Sequence, residues 1–371
     1  MLKTMVQELA DKELEPIAAQ TDEEATFPAD NIRKMAELGL MGTAFPEEYG
    51  GSGGGITESA IVVEEISRVF SAIAVILIVS TLDCGYPIYH FGTEEQKQRF
   101  LVPLAKGGKI GAFALTEACA GSDAAALETT ATKKNNGYVL NGTKIFITNG
   151  AEAEIVVVLA TTDKSLKHNG IQAFIVEKGT PGFSVGKYEH KLGIRASSTT
   201  ELIFEDCFVP RENQLGGKGK GFKIAIETLD SSRICVAAQA LGIAQEAFNK
   251  SLAYAKERQQ FGQPIANFQA IQWMLADMAT QIDAARLLTY KAAYLHDSGL
   301  PFIKEASMAK VFAAETAMAV TTKAIQIYGG YGYVKDYPME RYFREAKATE
   351  IYEGTSEMQR MTIARSLIRE G

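Results

Sequence analysis

The residues fit to do chemistry fall in a handful of short stretches. Glu353 sits in Ile351-Tyr-Glu-Gly-Thr-Ser-Glu357, just ahead of a C-terminal helical pattern. A carboxylate serves as a base toward carbon only where burial raises its pKa toward the operating range. An isolated Glu in a polar loop is by default a solvated charge, so its neighbours must carry that reading. Asp83 ends the apolar run Ala72-Ile-Ala-Val-Ile-Leu-Ile-Val-Ser-Thr-Leu82, where a carboxylate is costly unless paired. It reads either as a helix-end or subunit-contact Asp paired to Lys or Arg, or as a second base or polar anchor in a pocket. Lys144-Ile-Phe-Ile-Thr-Asn-Gly150 puts Phe146 and Thr148 two apart on a strand, hence on one face. Leu115-Thr-Glu-Ala-Cys-Ala-Gly-Ser-Asp123 is rich in small residues and hydroxyls. In Arg258-Gln-Gln-Phe-Gly262 the arginine follows Glu257, by default a surface ion pair. Gln326-Ile-Tyr-Gly-Gly-Tyr-Gly332 places glycines where a backbone could approach a ligand closely, turns being their ordinary use.

These stretches need elements to position them. The first third has helical spacing: Met5, Leu9, Leu14 and Ile17, then Ala29 to Leu38, Ile61 to Val69 and the mostly apolar Ala72 to Tyr89. From about Lys109 to Gly217 the runs are short and β-branched, such as Tyr138 to Leu140, Lys144 to Thr148, Ile155 to Ala160, Gln172 to Val176 and Glu201 to Phe204. Asn136-Gly137, Asn141-Gly142 and Pro181-Gly182 mark turns between them, and the spacing predicts an antiparallel sandwich or barrel. Past the glycine-rich hinge Gly216 to Gly221, helical period returns along Ile234, Ala237, Leu241, Ala244 and Phe248. Gln269 to Leu295, Phe302 to Ile327 and Ser356 to Ile368 complete a helical bundle. Trp273 is expected in its core.

Composition removes several classes of function. The chain has 371 residues, 46% hydrophobic and 22% charged, with a net charge of -7. That is a globular composition with room for two or three domains and no basic field for nucleic acid. The apolar stretch Ser71 to Leu82 is shorter than a bilayer span. Cys84, Cys119, Cys207 and Cys235 form no Cys-x-x-Cys pair, and no secretory signal is visible at the start. A reducing compartment is expected, either a bacterial cytoplasm or, for a processed form, the mitochondrial matrix.

In this order and spacing the stretches above, with Glu47-Glu-Tyr-Gly-Gly51, resemble the acyl-CoA dehydrogenase family over nearly the whole chain. The resemblance implies an α+β protein with an N-terminal α-helical domain (1–110), a flavin-binding middle β-barrel or sandwich domain (111–217) and a C-terminal four-helix-bundle domain (218–371). It implies FAD and no metal. Phe113, Leu115, Thr116 and Ser122, with Phe146, Ile147 and Thr148, would hold the flavin ring. Thr148 would sit near N5, and Phe146 stands where many relatives carry Trp. Arg258, Phe261, Gln269, Gln326, Gly329 and Gly330 would bind the pyrophosphate and adenine side, partly across a subunit interface. Thr355 and Glu357 would approach FAD at the start of the last helix. Ser122, Asp230, Arg233 and Gly354 would line the acyl-CoA channel. Glu353 matches the catalytic base, removing the α proton while the β hydrogen leaves as hydride to flavin N5. Some relatives place the base at the position of Ser232, where serine cannot serve. Cys119 replaces a common Pro of the flavin loop.

The implied activity is α,β-dehydrogenation of a short, butyryl-type acyl-CoA by a homotetramer, with electrons passing to electron-transferring flavoprotein. The resemblance leaves two further readings. Some relatives acting on alicyclic acyl-CoA, such as cyclohexane- or cyclohexene-carbonyl-CoA, use an Asp at the place of Asp83 as base. A silent flavoprotein serving as a binding subunit is the reading from another class, against which the intact Glu353 and Thr148 count.

Overall fold

The apolar stripe of the first helices explains their packing. Val6, Leu9, Ala10 and Leu14 recur every three or four residues and are all buried, laying this segment on the helix Ile56–Val69. The computed structural model describes residues 1–370. Its helix Ser71–Phe91 is long and apolar enough to cross a bilayer, extending well past the run that the sequence marks, but almost all of it is buried inside the protein. It is α-helical over Ser71–Ile78, widens to a π-helix over Val79–Gly85 and returns to α over Tyr86–Phe91. The cause is Pro87, which lacks the N–H that would bond to the Asp83 carbonyl four residues back. The same pairing recurs at Ala10–Leu14 before Pro16 and at Lys97–Leu101 before Pro103. Widened turns let each helix continue past a proline, and such π segments often lie at functional sites. Asp83 therefore lies inside a continuous helix and not at a helix end.

The middle domain is one eight-stranded sheet. Its strands are β1 (Gly111–Ala114), β2 (Thr130–Lys134), β3 (Gly137–Thr148), β4 (Ile155–Thr161), β5 (Ile171–Glu177), β6 (Phe183–Tyr188), β7 (Thr199–Pro210) and β8 (Gln214–Leu215). The order is β6-β7-β3-β2-β4-β5-β8, with β1 paired to β4. The path ends at β6 and β8, so the sheet is not the closed barrel that the strand spacing allowed, nor is it wholly antiparallel. β1 runs parallel to β4, as does the single pair Thr130 with Thr161. Every residue of β4 is buried: Ile155, Val157 and Leu159 face a core shared with N-terminal helices, and Val156, Val158 and Ala160 face a core within the sheet.

Asn141-Gly142 is a bulge within the single strand β3, where the sequence suggests a turn between two strands. Asn141 exchanges hydrogen bonds with Asp206, at 3.2 Å to its carboxylate and 2.8 Å from its N–H. Gly142 has φ 151° and lies so close to Thr129 that a Cβ would come within 2.5 Å of its hydroxyl.

Helical period wins again from Gly221. The helix Gly221–Glu257 threads the C-terminal domain and packs against Ile303–Tyr328, Ile56–Val69 and Gln269–Asp297. Met339–Thr349, an element the sequence reading lacks, and Ser356–Glu370 complete the domain. Trp273 is 65% exposed, contrary to the core placement expected, because helix Gln269–Asp297 keeps one apolar face outward. Leu287 and Tyr294, fourteen and twenty-one residues on, are exposed along with it.

Candidate active site

Four elements converge on Glu353. It lies in the turn between helices Met339–Thr349 and Ser356–Glu370, with φ 51°, a left-handed conformation that a bulky L-residue seldom adopts. The following Gly354 has φ 92°. Gln359 of the last helix donates to the carbonyls of both Glu353 (3.1 Å) and Gly354 (2.9 Å). Lys310, fully buried on helix Ile303–Tyr328, donates to the Gly354 carbonyl at 2.7 Å. These bonds over-determine a strained turn and aim the carboxylate inward.

The carboxylate meets Ser232 of helix Gly221–Glu257, whose hydroxyl donates to Glu353 Oε2 at 2.6 Å. Burial pushes the Glu353 pKa up to about 7, while the Ser232 bond and the charges of Arg233 and Lys310 pull the other way. The residue is nonetheless not sealed, since part of its surface remains accessible. A partly open carboxyl poised near neutrality is suited to accept a proton from carbon. Burial likewise lowers the Lys310 pKa to about 8, with Glu353 opposing the fall.

Asp83 approaches from the π segment. It is 5% exposed, and among the described residues no Lys or Arg pairs with it, which removes the ion-pair reading. Its neighbours are Ser232 and Glu353, and burial raises its pKa well above the ordinary carboxylate range. Asp230 and Arg233 form a salt bridge at 2.8 Å, and Arg233 also donates to Ser307 at 3.2 Å. Tyr352 donates to Gln239, whose amide donates to Ser71 at 2.7 Å.

The segments expected around a flavin ring are joined to one another. Ile145 N–H donates to the Thr116 carbonyl at 2.9 Å. Buried Lys144 reaches the Leu115 carbonyl (3.0 Å) and Glu117 (2.7 Å), and Glu117 also accepts from the N–H groups of Glu128 (2.6 Å) and Thr129 (3.0 Å). A second register shift between Lys144 and Ile147 puts Phe146 at φ 57°, its ring 58% exposed, while Ile147 is buried and Thr148 partly exposed. Phe113 is half-buried, Leu115 is buried and Ser122 lies at the surface.

Further along the chain, Arg258, Gly329 and Gly330 line one cavity of about 780 Å³ with Tyr254, Ile265 and Tyr328. Open space surrounds Gly329 and Gly330, and the Arg258 guanidinium lies 5.5 Å from the Tyr331 ring centre. Phe261 is almost fully exposed, and Gln269 and Gln326 are also exposed. Thr355 caps the last helix by accepting from Met358 N–H at 3.3 Å, and Glu357 stands exposed beside it.

Sequence reasoning missed Lys310, Gln239 and Gln359, and dismissed Ser232 as unable to act. Lys310 carried one signal, a lysine among the small apolar residues of Ala306 to Ala314. Its partner is a carbonyl from a distant turn, which spacing does not reveal.

A helical domain, a sheet domain and a second helical domain thus surround a site with two buried carboxyl groups, Glu353 and Asp83. The models of the acyl-CoA dehydrogenase N-terminal, middle and C-terminal domains match residues 1–108, 112–207 and 219–368. The chain belongs to the acyl-CoA dehydrogenase family. It is 55% identical over 369 residues to the short-chain specific acyl-CoA dehydrogenase of Clostridium acetobutylicum, covering 100% of this chain and 97% of the relative. Butyryl-CoA dehydrogenase from Megasphaera elsdenii superposes with a TM-score of 0.98 at 49% identity, covering 99% and 97%. A chain in the structure of the electron transferring flavoprotein of Acidaminococcus fermentans, a study of flavin-based electron bifurcation, gives 0.98 at 54% identity, covering 100% and 97%. These names lend no support to an alicyclic substrate.

Proposed function

We propose that the protein is an FAD-dependent dehydrogenase of short, butyryl-sized acyl-CoA, with Glu353 as the base. The observation that carries this reading is the Glu353 carboxylate, poised near neutrality at the meeting of four elements and held by Ser232. FAD fits the residues present. Exposed Phe146 offers an aromatic face, Thr116 and Thr148 offer hydroxyls, and Arg258 with the open backbone of Gly329 and Gly330 suits a pyrophosphate. When bound, FAD supplies the acceptor for the β hydrogen. This chain's residues do the rest: Glu353 takes the α proton, Ser232 orients its carboxylate, and Lys310 with Gln359 holds the turn. Asp230 and Arg233 would face the acyl-CoA thioester arm beside Ser122 and Gly354.

Anaerobic titration with butyryl-, octanoyl- and cyclohexene-carbonyl-CoA tests the substrate. Butyryl-CoA should bleach the yellow protein fastest, and preferential bleaching by the cyclic compound would move the substrate to the alicyclic class. Failure of all three would favour a silent binding subunit. Electrons would leave through electron-transferring flavoprotein, a partner suggested by the Acidaminococcus neighbour. The exposed row Trp273, Leu287 and Tyr294 suits a contact between copies of the chain, and light scattering is the check on the homotetramer that the family resemblance implies.

Arg258→Ala should weaken FAD retention by about 10–150-fold, the value of a charge-assisted phosphate contact of about 1.5–3 kcal/mol. Flavin release on dilution measures it. Unchanged retention would remove Arg258 from the cofactor site.

A further inference from the structure

Lys144 is a charged group that the reaction as described does not use. It is fully buried, yet it sits on β3 two residues before the exposed Phe146. Its ammonium donates to Glu117 at 2.7 Å and to the Leu115 carbonyl at 3.0 Å. Glu117 answers the charge, and the Ile145 N–H on the Thr116 carbonyl already ties the loop to the strand. The bond to the Leu115 carbonyl is needed for neither purpose, although a carbonyl in contact with an ammonium is strongly polarised.

That carbonyl belongs to the peptide unit whose other end is the Thr116 N–H. A trans peptide sets its N–H opposite its C=O. The Leu115 carbonyl turns toward the buried pair, so the Thr116 N–H turns away from it, on a residue that is partly exposed. Among the described residues this N–H has no acceptor. Hydrogen bonds in series polarise one another, so the ammonium on the carbonyl strengthens the N–H as a donor. We propose that Lys144 is a positioning residue that tunes the flavin: it fixes and polarises the Leu115–Thr116 peptide, turns a strengthened N–H toward the ring and raises its reduction potential. The hydride that leaves the β carbon carries one negative charge, and a donor placed where that charge arrives favours the reduced state. Lys144 and Glu117 together add no net charge, so the effect runs through the peptide. The inference rests on FAD lying against Thr116 and Phe146.

The reduction potential of the FAD-loaded holoenzyme tests this. It is read by anaerobic reduction without substrate, beside a dye of known potential, at about pH 7, where Lys144 carries its proton. Lys144→Met combined with Glu117→Gln removes both charges at once, a replacement that buried pairs often tolerate. The equilibrium constant for reduction should fall about 5-fold or more, which is about 20 mV or more for a two-electron couple. Lys144→Gln combined with Glu117→Gln keeps a neutral amide in place of the ammonium, and the fall should be about 2-fold or more. This second pair decides the matter if the first does not hold flavin. A wild-type potential in the variants would overturn the proposal even if they lose FAD more readily, because a purely structural tie would give that result. Thr116→Val separates the proposal from the placement of the cofactor, since loss of its hydroxyl should shift the visible spectrum of the bound flavin. A shifted spectrum there, with wild-type potentials in the paired variants, removes the tuning by Lys144 and leaves the cofactor site standing. An unshifted spectrum would put the flavin elsewhere and remove both.

Discussion

Replacing Glu353 by Gln should leave FAD bound and slow flavin reduction by butyryl-CoA by about 10²–10⁴-fold. The amide can still accept from Ser232 and nearly preserves the side chain's shape, so the lost quantity is proton acceptance alone. Stopped-flow bleaching under anaerobic conditions gives the rate, and retained yellow colour shows that the cofactor site survives. The pH dependence has a definite sign. Only the ionised carboxylate is a base, and burial raises its pKa to about 7, so the wild-type rate should climb as pH rises through about 7 and level off above it. A wild-type rate in Glu353→Gln would move the base elsewhere, and a rate flat between about pH 5 and 9 would mean that an ordinary, solvated carboxylate does the work.

The largest stability effect is expected in the middle domain. Lys144 and Glu117 are both buried and pair at 2.7 Å, tying the loop after β1 to β3 two residues before the exposed Phe146. Glu117→Gln strands an ammonium in the interior and removes an acceptor from the Glu128 and Thr129 amides. The cost should be about 3–5 kcal/mol near pH 7. Burial already lowers the Lys144 pKa to about 8 in the intact pair, and loss of Glu117 must lower it further. A base whose folded pKa is depressed gains stability as pH rises through the window between its folded and unfolded values. The deficit of the variant should therefore shrink toward alkaline pH, where the lysine is neutral in both proteins. Urea unfolding at two pH values measures this. Equal midpoints for the two proteins at pH 7 would show that the pair contributes nothing.

Much of the architecture was legible because it rests on period. The stripe through Leu9 and Leu14, the β-branched runs of the middle domain and the small-residue face of Ile234 to Phe248 each impose one element locally. Sheet closure was not legible. Whether the strands form a closed barrel or an open sheet depends on which edges pair, and parallel pairing of β1 with β4 joins segments far apart in sequence. Asn141-Gly142 has the composition of a turn, yet Asp206 on β7 satisfies the asparagine, and β3 continues through a bulge in place of reversing. Trp273 was misplaced because an apolar helical face left exposed and one turned toward a core have the same period.

The site divides along the same line. Sequence alone determined which residue types could act: Glu353 in its polar turn, Asp83 closing an apolar run, and Arg258 and the Gly329-Gly330 pair in their motifs. Tertiary structure alone decided their electrical states. A carboxyl group's pKa is set by what surrounds it within a few ångströms, and those neighbours come from four elements up to 270 residues apart in the chain. Ser232 is an unremarkable serine until a turn 121 residues away brings a carboxylate to 2.6 Å from its hydroxyl. Lys310 is a misplaced cation until the Gly354 carbonyl reaches it. The apolar run before Asp83 announces that its charge would be costly, but only the packed helices show that no cation is there to offset it.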